Sequence, residues 1–305
     1  MYYPEGYLLH TTRNRAALAD ESSLRQAIAS GQICEAHAVL CDTEHNLVVQ
    51  LGCMRGLIPR CEGAIGIRAG SVRDIAVIAR VNKPVCFRVV DILRDDCGKK
   101  YALLSRVAAQ EACQCDYLAA LRPGDIIDAK VTHLEPFGAF CDIGCGNTAL
   151  LPIDAISVSR IAHPCDRLRC GDDLRVVVRG RDEAGRICLS HKELLGTWME
   201  NAAQFSPGQT LPGIVRSIEP YGVFVELAPN LAGLAEPCHG VRSGQQCSVF
   251  CKSLIPEKMK VKLVLIHAFD DACPLPPLRY FVYSDHITHW VYSPPACDRL
   301  VESVF

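Results

Sequence analysis

Two short aromatic motifs in this sequence could do chemistry. Phe137-Gly-Ala-Phe140 and Tyr221-Gly-Val-Phe224 each place two rings three residues apart around a glycine. An exposed ring offers about 1 to 3 kcal/mol of stacking to any nucleobase, and a cation beside it can neutralise phosphate. Residues three apart lie on opposite faces of a regular strand, so both rings can face one ligand only if the glycine permits a turn or bulge. We predict that both pairs are exposed and stack on bases.

Lysines accompany these motifs in two places. Lys130 precedes the first aromatic pair, and Lys258, Lys260 and Lys262 alternate with apolar residues near the end of the chain. Because side chains alternate across a strand, this second pattern predicts three ammonium groups on one side of a strand, where they could contact phosphates. A solvated outer face that binds no ligand is the alternative, since lysine is common on exposed strands.

The composition of the whole chain limits the classes of function. Its 305 residues include 32 lysines and arginines against 34 aspartates and glutamates, a formal net charge of −2. Nucleic-acid binding must therefore come from local patches, which excludes histone-like proteins. The sequence has no His-x-x-x-His spacing, no phosphate-binding loop and no serine-nucleophile elbow. We therefore expect a protein that is not an enzyme and that uses no cofactor and no metal.

Cysteine usage and hydropathy bear on the compartment. The 18 cysteines are scattered and form no Cys-x-x-Cys pair. This pattern favours small buried side chains in a reducing compartment over a disulfide framework or a metal site. There is no run of about eighteen apolar residues and no basic, then apolar N-terminus typical of a signal peptide. We expect a cytoplasmic protein with no membrane partner.

A repeat sets the elements that must position the aromatic pairs. Pro123-Gly124 and Pro207-Gly208 are displaced by the same 84 residues as the two aromatic motifs (137 to 221). Within each copy, short alternating strands and frequent turns are typical of a small barrel. Apolar residues with helical spacing precede each copy, and Trp198 in the second of these stretches is interpreted as a packing anchor.

The repeat leads to a prediction of domain organisation. Residues 31–105 are interpreted as a third, degenerate copy that lacks the aromatic quartet and has Thr43-Glu-His-Asn46 near its place. One helix is expected in residues 1–30, with Asp20 as its N-cap and Gly31 as its end. The predicted segments are residues 1–30, a barrel over 31–105, a helix over 106–121, a barrel over 122–193, a helix over 194–205, a barrel over 206–269 and an extension over 270–305.

The second copy resembles the RNA-binding S1 repeat of ribosomal protein S1, a member of the OB-fold superfamily. The residues that carry this resemblance are Gly124, Phe137-Gly-Ala-Phe140 and Gly185-Arg-Ile-Cys-Leu-Ser190. The third copy keeps Gly208 and its own aromatic quartet. The resemblance implies an all-β protein of three tandem five-stranded OB-fold barrels, the first degenerate, joined by two short helices.

The resemblance also implies roles for individual residues. In this family single-stranded RNA lies across one barrel face and stacks on the two aromatic rings, which match Phe137 and Phe140. Asp182 and Arg186 match an acidic and a basic contact residue of the family. The family's histidine does not carry over, because Pro152 stands in its place. His163, in the loop between the third and fourth strands, is a further candidate, although a loop histidine without a ligand is the alternative.

These observations support one main hypothesis on function. The second and third barrels are expected to bind single-stranded RNA, messenger or ribosomal, in translation or messenger RNA handling, with the ribosome as a candidate partner. The first barrel would be a structural or protein-contacting unit. The alternative is a protein-interaction scaffold, in which the four aromatic rings would be buried in barrel cores. An enzyme subunit is a weaker third hypothesis, because no catalytic constellation is present.

Overall fold

The strands of this chain close into three small barrels. The computed structural model describes residues 2–270 and 278–305. Each barrel has five strands in the same order, in which the first three are neighbours and the fifth lies between the third and the fourth. The fifth strand pairs with the third in parallel and with the fourth in antiparallel orientation. The predicted fold class of three tandem five-stranded OB-type barrels is confirmed.

The first barrel is built from alternating strands around an aliphatic core. Leu47, Ile58 and Phe87 are fully buried in it. The hairpin between its first two strands carries no aromatic pair, and Asp42 closes the tip by accepting hydrogen bonds from the backbone nitrogens of Glu44 and Asn46 at 3.0 and 2.8 Å. Its strands are β1 (Ile33–Cys41), β2 (Leu47–Gln50), β3 (Arg55–Ile58), β4 (Pro84–Arg94) and β5 (Lys100–Ser105).

The second and third barrels follow the same plan. The strands of the second are β6 (Ile126–Glu135), β7 (Gly138–Asp142), β8 (Thr148–Pro152), β9 (Asp173–Arg181) and β10 (Ile187–Ser190). Those of the third are β11 (Thr210–Glu219), β12 (Gly222–Ala228), β13 (Leu231–Ala235), β14 (Gln246–Ile255) and β15 (Lys260–Phe269). A two-stranded antiparallel sheet of β16 (His289–Val291) and β17 (Glu302–Val304) follows. Residues 271–277 of the predicted C-terminal extension lie outside the described residues.

The helices are short and occupy the connections. They are α1 (Thr12–Ala17), α2 (Glu21–Ser30), α3 (Ile75–Ile78), α4 (Arg106–Asp116), α5 (Ile153–Ile156) and α6 (Trp198–Ala202). Helix α2 is the predicted N-terminal helix: the Asp20 side chain accepts from the Ser23 nitrogen at 2.8 Å, and Gly31 ends the helix at φ 61°. Helix α1, capped by Thr11, was not expected from the sequence. Its six residues are too few for a clear apolar period.

The chain divides into two compact units. The first comprises Met1–Leu121, Asp128–Lys130 and Asp142–Thr148, and the second comprises Arg122–Ile127, Val131–Cys141 and Ala149–Phe305. In the second unit, Trp198 is 2% exposed and belongs to the core cluster of the third barrel together with Trp290 and Tyr292. The interpretation of Trp198 as a packing anchor is confirmed, and the C-terminal extension supplies core residues.

Buried polar contacts join the second and third barrels inside the second unit. The fully buried Asn230 accepts from the Val158 nitrogen at 2.9 Å and donates from Nδ2 to the carbonyls of Lys192 and Gly196 at 2.7 and 2.8 Å. These partners belong to the second barrel's loop and to the chain that leaves it. A buried amide with its capacity filled in this way fixes the two segments against each other.

The cysteines depart from expectation. The described cysteines are free thiols, and seven of them are buried while seven others are exposed. The expectation that most of the cysteines are buried is wrong for the seven exposed ones, because these lie in bends, turns and loops or on helix α4. Among the described residues no helix is long and apolar enough to cross a membrane.

Candidate nucleic-acid interface

The aromatic pair of the second barrel sits at the hairpin between β6 and β7. Phe137 lies in the turn and is 54% exposed, whereas Phe140 lies on β7 and is half-buried. Their ring centroids are 6.0 Å apart with the planes at 89°. A Cβ on Gly138 would lie 2.5 Å from the carbonyl oxygen of Leu151, so the close passage of β7 beside β8 at this point requires glycine. The pair therefore presents one ring outward and a second ring edge-on beside it.

The third barrel repeats this geometry. Tyr221 is 64% exposed in the turn before β12, and Phe224 on β12 is half-buried. The centroids are 6.2 Å apart and the planes again meet at 89°. A Cβ on Gly222 would lie 2.5 Å from the carbonyl oxygen of Ala235. The scaffold alternative required all four rings to be buried in barrel cores. None of them is buried in this way.

An outward row of side chains crosses the third barrel from its aromatic pair. Phe224 is the register partner of Leu234 on β13, which is in turn the partner of Lys262 on β15. Residues in register share a face, and neighbouring strands are about 4.8 Å apart, so Lys262 lies about 10 Å from Phe224 on the outer surface. Sequence analysis did not single out Leu234. The pattern that could have indicated Leu234 is a large apolar residue at an outward strand position, between the small buried residues Gly233 and Ala235.

The lysine pattern of the third barrel is only partly a strand. Lys260 and Lys262 are exposed on β15, while Val261 and Leu263 between them are buried. Lys258 instead lies in a 3-10 turn, Pro256–Lys258, and the strand begins only at Lys260. The prediction of three lysines on one strand face is therefore wrong for Lys258. Proline opens the turn, and the residue after Lys258 adopts a left-handed conformation at φ 48°, which interrupts the strand.

Asp182 and Arg186 shape the turn between β9 and β10 of the second barrel. Asp182 accepts from the backbone nitrogens of Ala184 and Arg186 at 3.0 and 2.8 Å and from Arg186 Nε at 2.8 Å. The Arg186 backbone bond, then the Arg186 side chain, holds the pKa of Asp182 below its usual range. Arg186 is 78% exposed. Cys188 pairs with Leu150 as Lys262 pairs with Leu234, so Cys188 and Lys262 hold equivalent places in the two barrels. Arg186 and Lys260 each stand two residues before these positions and are therefore also equivalent.

Lys130 and His163 are engaged in other contacts. Lys130 is half-buried on β6, and its Nζ lies 5.3 Å from the ring centroid of Tyr7. His163 caps the 3-10 turn Pro164–Asp166: its Nδ1 accepts from the Cys165 nitrogen at 3.1 Å, and its own nitrogen donates to Asp166 at 3.1 Å. No contact within the described residues joins either side chain to an aromatic pair. The contact of Lys130 with Tyr7, distant in the chain, and the capping role of His163 were not predicted from the sequence.

The barrel that carries Phe137 and Phe140 matches a known family. Residues 120–192 match the family model described as the S1 RNA-binding domain. The second barrel, which these residues form, belongs to the S1 RNA-binding domain family. Relatives resemble more of the chain: it is 31% identical over 274 residues to the small ribosomal subunit protein bS1 of Leuconostoc lactis, covering 84% of this chain and 61% of that protein.

A second relative is shorter in overlap and higher in identity. The chain is 35% identical over 194 residues to the small ribosomal subunit protein bS1 homolog of Bacillus subtilis (strain 168), covering 62% of this chain and 48% of that protein. The chain thus spans about half to three-fifths of the length of the curated relatives it matches. The region matched by the family model contains the first aromatic pair together with Asp182 and Arg186. The other two S1-like barrels share its strand order.

Proposed function

We propose that this chain binds single-stranded RNA, messenger or ribosomal, across the outer faces of its second and third S1 barrels, and that it acts in translation or messenger RNA handling. The observation that supports this proposal is the repeated aromatic pair. Phe137 and Tyr221 are both more than half exposed, and each has a partner ring at about 6 Å in the same perpendicular arrangement. Two surfaces of one design, in one chain, fit one kind of ligand.

Aromatic rings and cationic side chains contact different parts of the RNA in this proposal. Each exposed ring offers a face on which a base can stack, whatever its identity. Lys262, in register with Phe224 through Leu234, is an exposed cation, and Lys260 and Arg186 are exposed cations at the start of the fifth strands. Phosphate contacts by these side chains would make binding depend on salt. Four further candidates have a secondary place in this proposal. The side chains of Lys130, His163 and Asp182 contact other parts of the chain, and Lys258 lies in the 3-10 turn before β15.

Tandem linkage strengthens two weak surfaces. The buried contacts of Asn230 hold the second and third barrels together, so an RNA bound to one face meets the other at a high effective concentration. We propose the predicted limits 122–193 and 206–269 for these two barrels, and 31–105 for the first. The first barrel lacks the aromatic pair and is proposed as a protein-contacting unit. Its partner would be the ribosome, since the relatives are small ribosomal subunit proteins. Binding involves no catalytic step.

Fluorescence anisotropy tests this proposal with a labelled, unstructured RNA of about twenty nucleotides. The comparison is between the intact chain and a Phe137→Ala/Tyr221→Ala variant, in a salt series. Loss of about 1 to 3 kcal/mol per ring raises the Kd at least tenfold, because 1.4 kcal/mol is a factor of ten. Both rings are exposed, so the variant keeps its fold.

A matched control separates this surface from exposed aromatic area in general. Phe250 lies on the outer side of β14 in the third barrel and is 37% exposed. Phe250→Ala is expected to bind RNA with the Kd of the intact chain. If the intact chain fails to bind at low salt, or if the double variant binds as tightly as the control, the proposal is wrong.

A further inference from the structure

The first unit contains a pocket that has no part in the aromatic faces. Its volume is about 540 Å³. This lies within the range of about 300 to 1,000 Å³ typical of small-ligand sites. It is lined by the N-terminal segment, α1, the end of α2 and strands β1 and β4, with Tyr2, Tyr3, Arg13 and Arg88 among its lining residues.

The charge of this pocket has one sign. Arg13 and Arg88 are the lining residues that carry a formal charge, and no aspartate or glutamate lines it. Within residues 2–270 and 278–305 neither guanidinium forms an ion pair. The Nε of Arg88 is closed to water and has no hydrogen-bond partner among the described residues. A partly buried guanidinium without a partner costs free energy unless an anion binds to its remaining donors.

Three other polar side chains of the lining are already paired. The Asn14 side chain donates to the Glu35 carbonyl and accepts from the Glu35 nitrogen, both at 2.8 Å. Thr11 donates to the Leu8 carbonyl at 2.8 Å, and Ser30 donates to the Ala27 carbonyl at 3.3 Å. The Asn14 bonds tie α1 to β1, and the other two bonds stay within their own segments. The charged donors of the lining that remain for a ligand are those of the two arginines.

Two tyrosines, Tyr2 and Tyr3, also line the pocket, and their rings are held in place. Tyr2 stacks on Tyr117 with centroids 6.1 Å apart and planes at 15°, and its hydroxyl donates to Asp116 at 2.6 Å. Burial, then the bond to Asp116, raises the pKa of Tyr2 to about 12, so the phenol stays neutral. Tyr3 stacks on Tyr7 at the same distance and angle. Fixed planar rings beside guanidinium groups suit a base and a phosphate.

We propose that this pocket binds a phosphorylated nucleoside, with Arg13 and Arg88 on the phosphate and the rings of Tyr2 and Tyr3 beside the base. The ligand is either a free mononucleotide or the phosphorylated end of an RNA, which share this chemistry. The site does not depend on the aromatic faces of the second and third barrels.

Isothermal titration calorimetry of the full chain tests the site with AMP and adenosine. AMP is expected to bind at least tenfold more tightly than adenosine, because only AMP has an anion for the arginines. Arg13→Ala and Arg88→Ala are each expected to weaken AMP binding at least tenfold. Arg15→Ala is the matched control: it removes the same charge from the same helix α1, and it does not line the pocket.

An RNA tetranucleotide with a 5′ phosphate and the same tetranucleotide without it distinguish the two possible ligands, a phosphorylated RNA end and a free mononucleotide. Tighter binding of the 5′-phosphorylated form than of AMP supports a terminal phosphate, and the reverse supports a free nucleotide. The Phe137→Ala/Tyr221→Ala variant is expected to bind AMP like the intact chain, which separates this site from the proposed RNA faces. The proposal is overturned if neither phosphorylated ligand binds at millimolar concentration, if adenosine binds as tightly as AMP, if that double variant loses AMP binding, or if Arg13→Ala, whose side chain is exposed, leaves AMP binding unchanged.

Discussion

Glu226 on β12 bridges two buried guanidinium groups of the second unit. It accepts from Arg167 Nη2 at 2.9 Å and from Arg216 Nε at 2.7 Å. The side chains of Arg167 and Arg216 are only 5% and 9% exposed. Burial alone would raise the pKa of Glu226, but the hydrogen bonds and charges of Arg167, followed by those of Arg216, outweigh it and hold this pKa below its usual value.

The substitution Glu226→Gln keeps the shape of the side chain and removes its charge. Breaking a buried ion pair by changing one partner costs about 3 to 5 kcal/mol, because the other charge is left buried without compensation. Asp166 remains 3.6 Å from Arg216 and offsets part of that loss. We therefore expect the free energy of unfolding of the third barrel to fall by about 3 kcal/mol, the lower end of this range.

Tryptophan fluorescence during urea unfolding measures this loss selectively. The sequence has two tryptophans, and Trp198 and Trp290 both pack in the core cluster of the third barrel. With a slope of about 1 to 3 kcal/mol per molar urea, the midpoint should fall by about 1 to 3 M. Glu236→Gln is the matched control, since Glu236 is 77% exposed and 3.7 Å from Lys252. It should change the free energy of unfolding by less than about 0.5 kcal/mol.

The same comparison has a defined dependence on pH. A carboxylate whose folded pKa is depressed adds stability above its unfolded pKa, about 4.3 for glutamate, and loses it as the pH falls through the folded value. The difference in unfolding free energy between the intact chain and Glu226→Gln should therefore be full at neutral pH and shrink below about pH 4. A midpoint for Glu226→Gln within error of Glu236→Gln at pH 7, or a difference that grows on acidification, would refute this reasoning.

Three further outcomes are expected. Gly222→Ala should lower the midpoint of urea unfolding, measured by tryptophan fluorescence, and weaken RNA binding, because the new Cβ would lie 2.5 Å from the Ala235 carbonyl oxygen. An unchanged midpoint would contradict this. Asn230→Ala should cost about 2 kcal/mol or more, since it leaves buried partners unpaired, and should speed tryptic cleavage in the connection between the second and third barrels; unaltered digestion would contradict this. Lys262→Ala should reduce the slope of log binding constant against log salt concentration by about 0.7, whereas Lys258→Ala should change this slope less. Equal effects of the two substitutions would contradict a role of the outward row in RNA binding.

Local chemistry with a fixed spacing could be predicted from the sequence. The glycine inside each aromatic motif was predicted to permit a turn or bulge between the two rings, and a Cβ at Gly138 or Gly222 would lie only 2.5 Å from a neighbouring carbonyl oxygen. Asp20 and Gly31 predicted both ends of α2, because each acts on the backbone next to it. The three barrels followed from a repeat in which the same turns and strand periods recur.

Features that depend on distant partners could not be predicted. Alternation at residues 258–262 indicated one strand, but the 3-10 turn before Met259 breaks it, and no period in the sequence reports that turn. Lys130 had the type and place of a phosphate contact, yet Tyr7, more than a hundred residues away in the chain, lies under its ammonium group. Asn230 gave no motif, because its importance comes from burial between the second and third barrels.

Stacking of bases on Phe137 and Tyr221 is the central claim, and an RNA that contains 2-aminopurine tests it most directly. The fluorescence of this base falls when it stacks on an aromatic ring. At protein concentrations that saturate binding, the intact chain should quench the probe, Phe250→Ala should quench it equally, and Phe137→Ala/Tyr221→Ala should leave it bright. Equal quenching by the double variant at saturation would contradict the account.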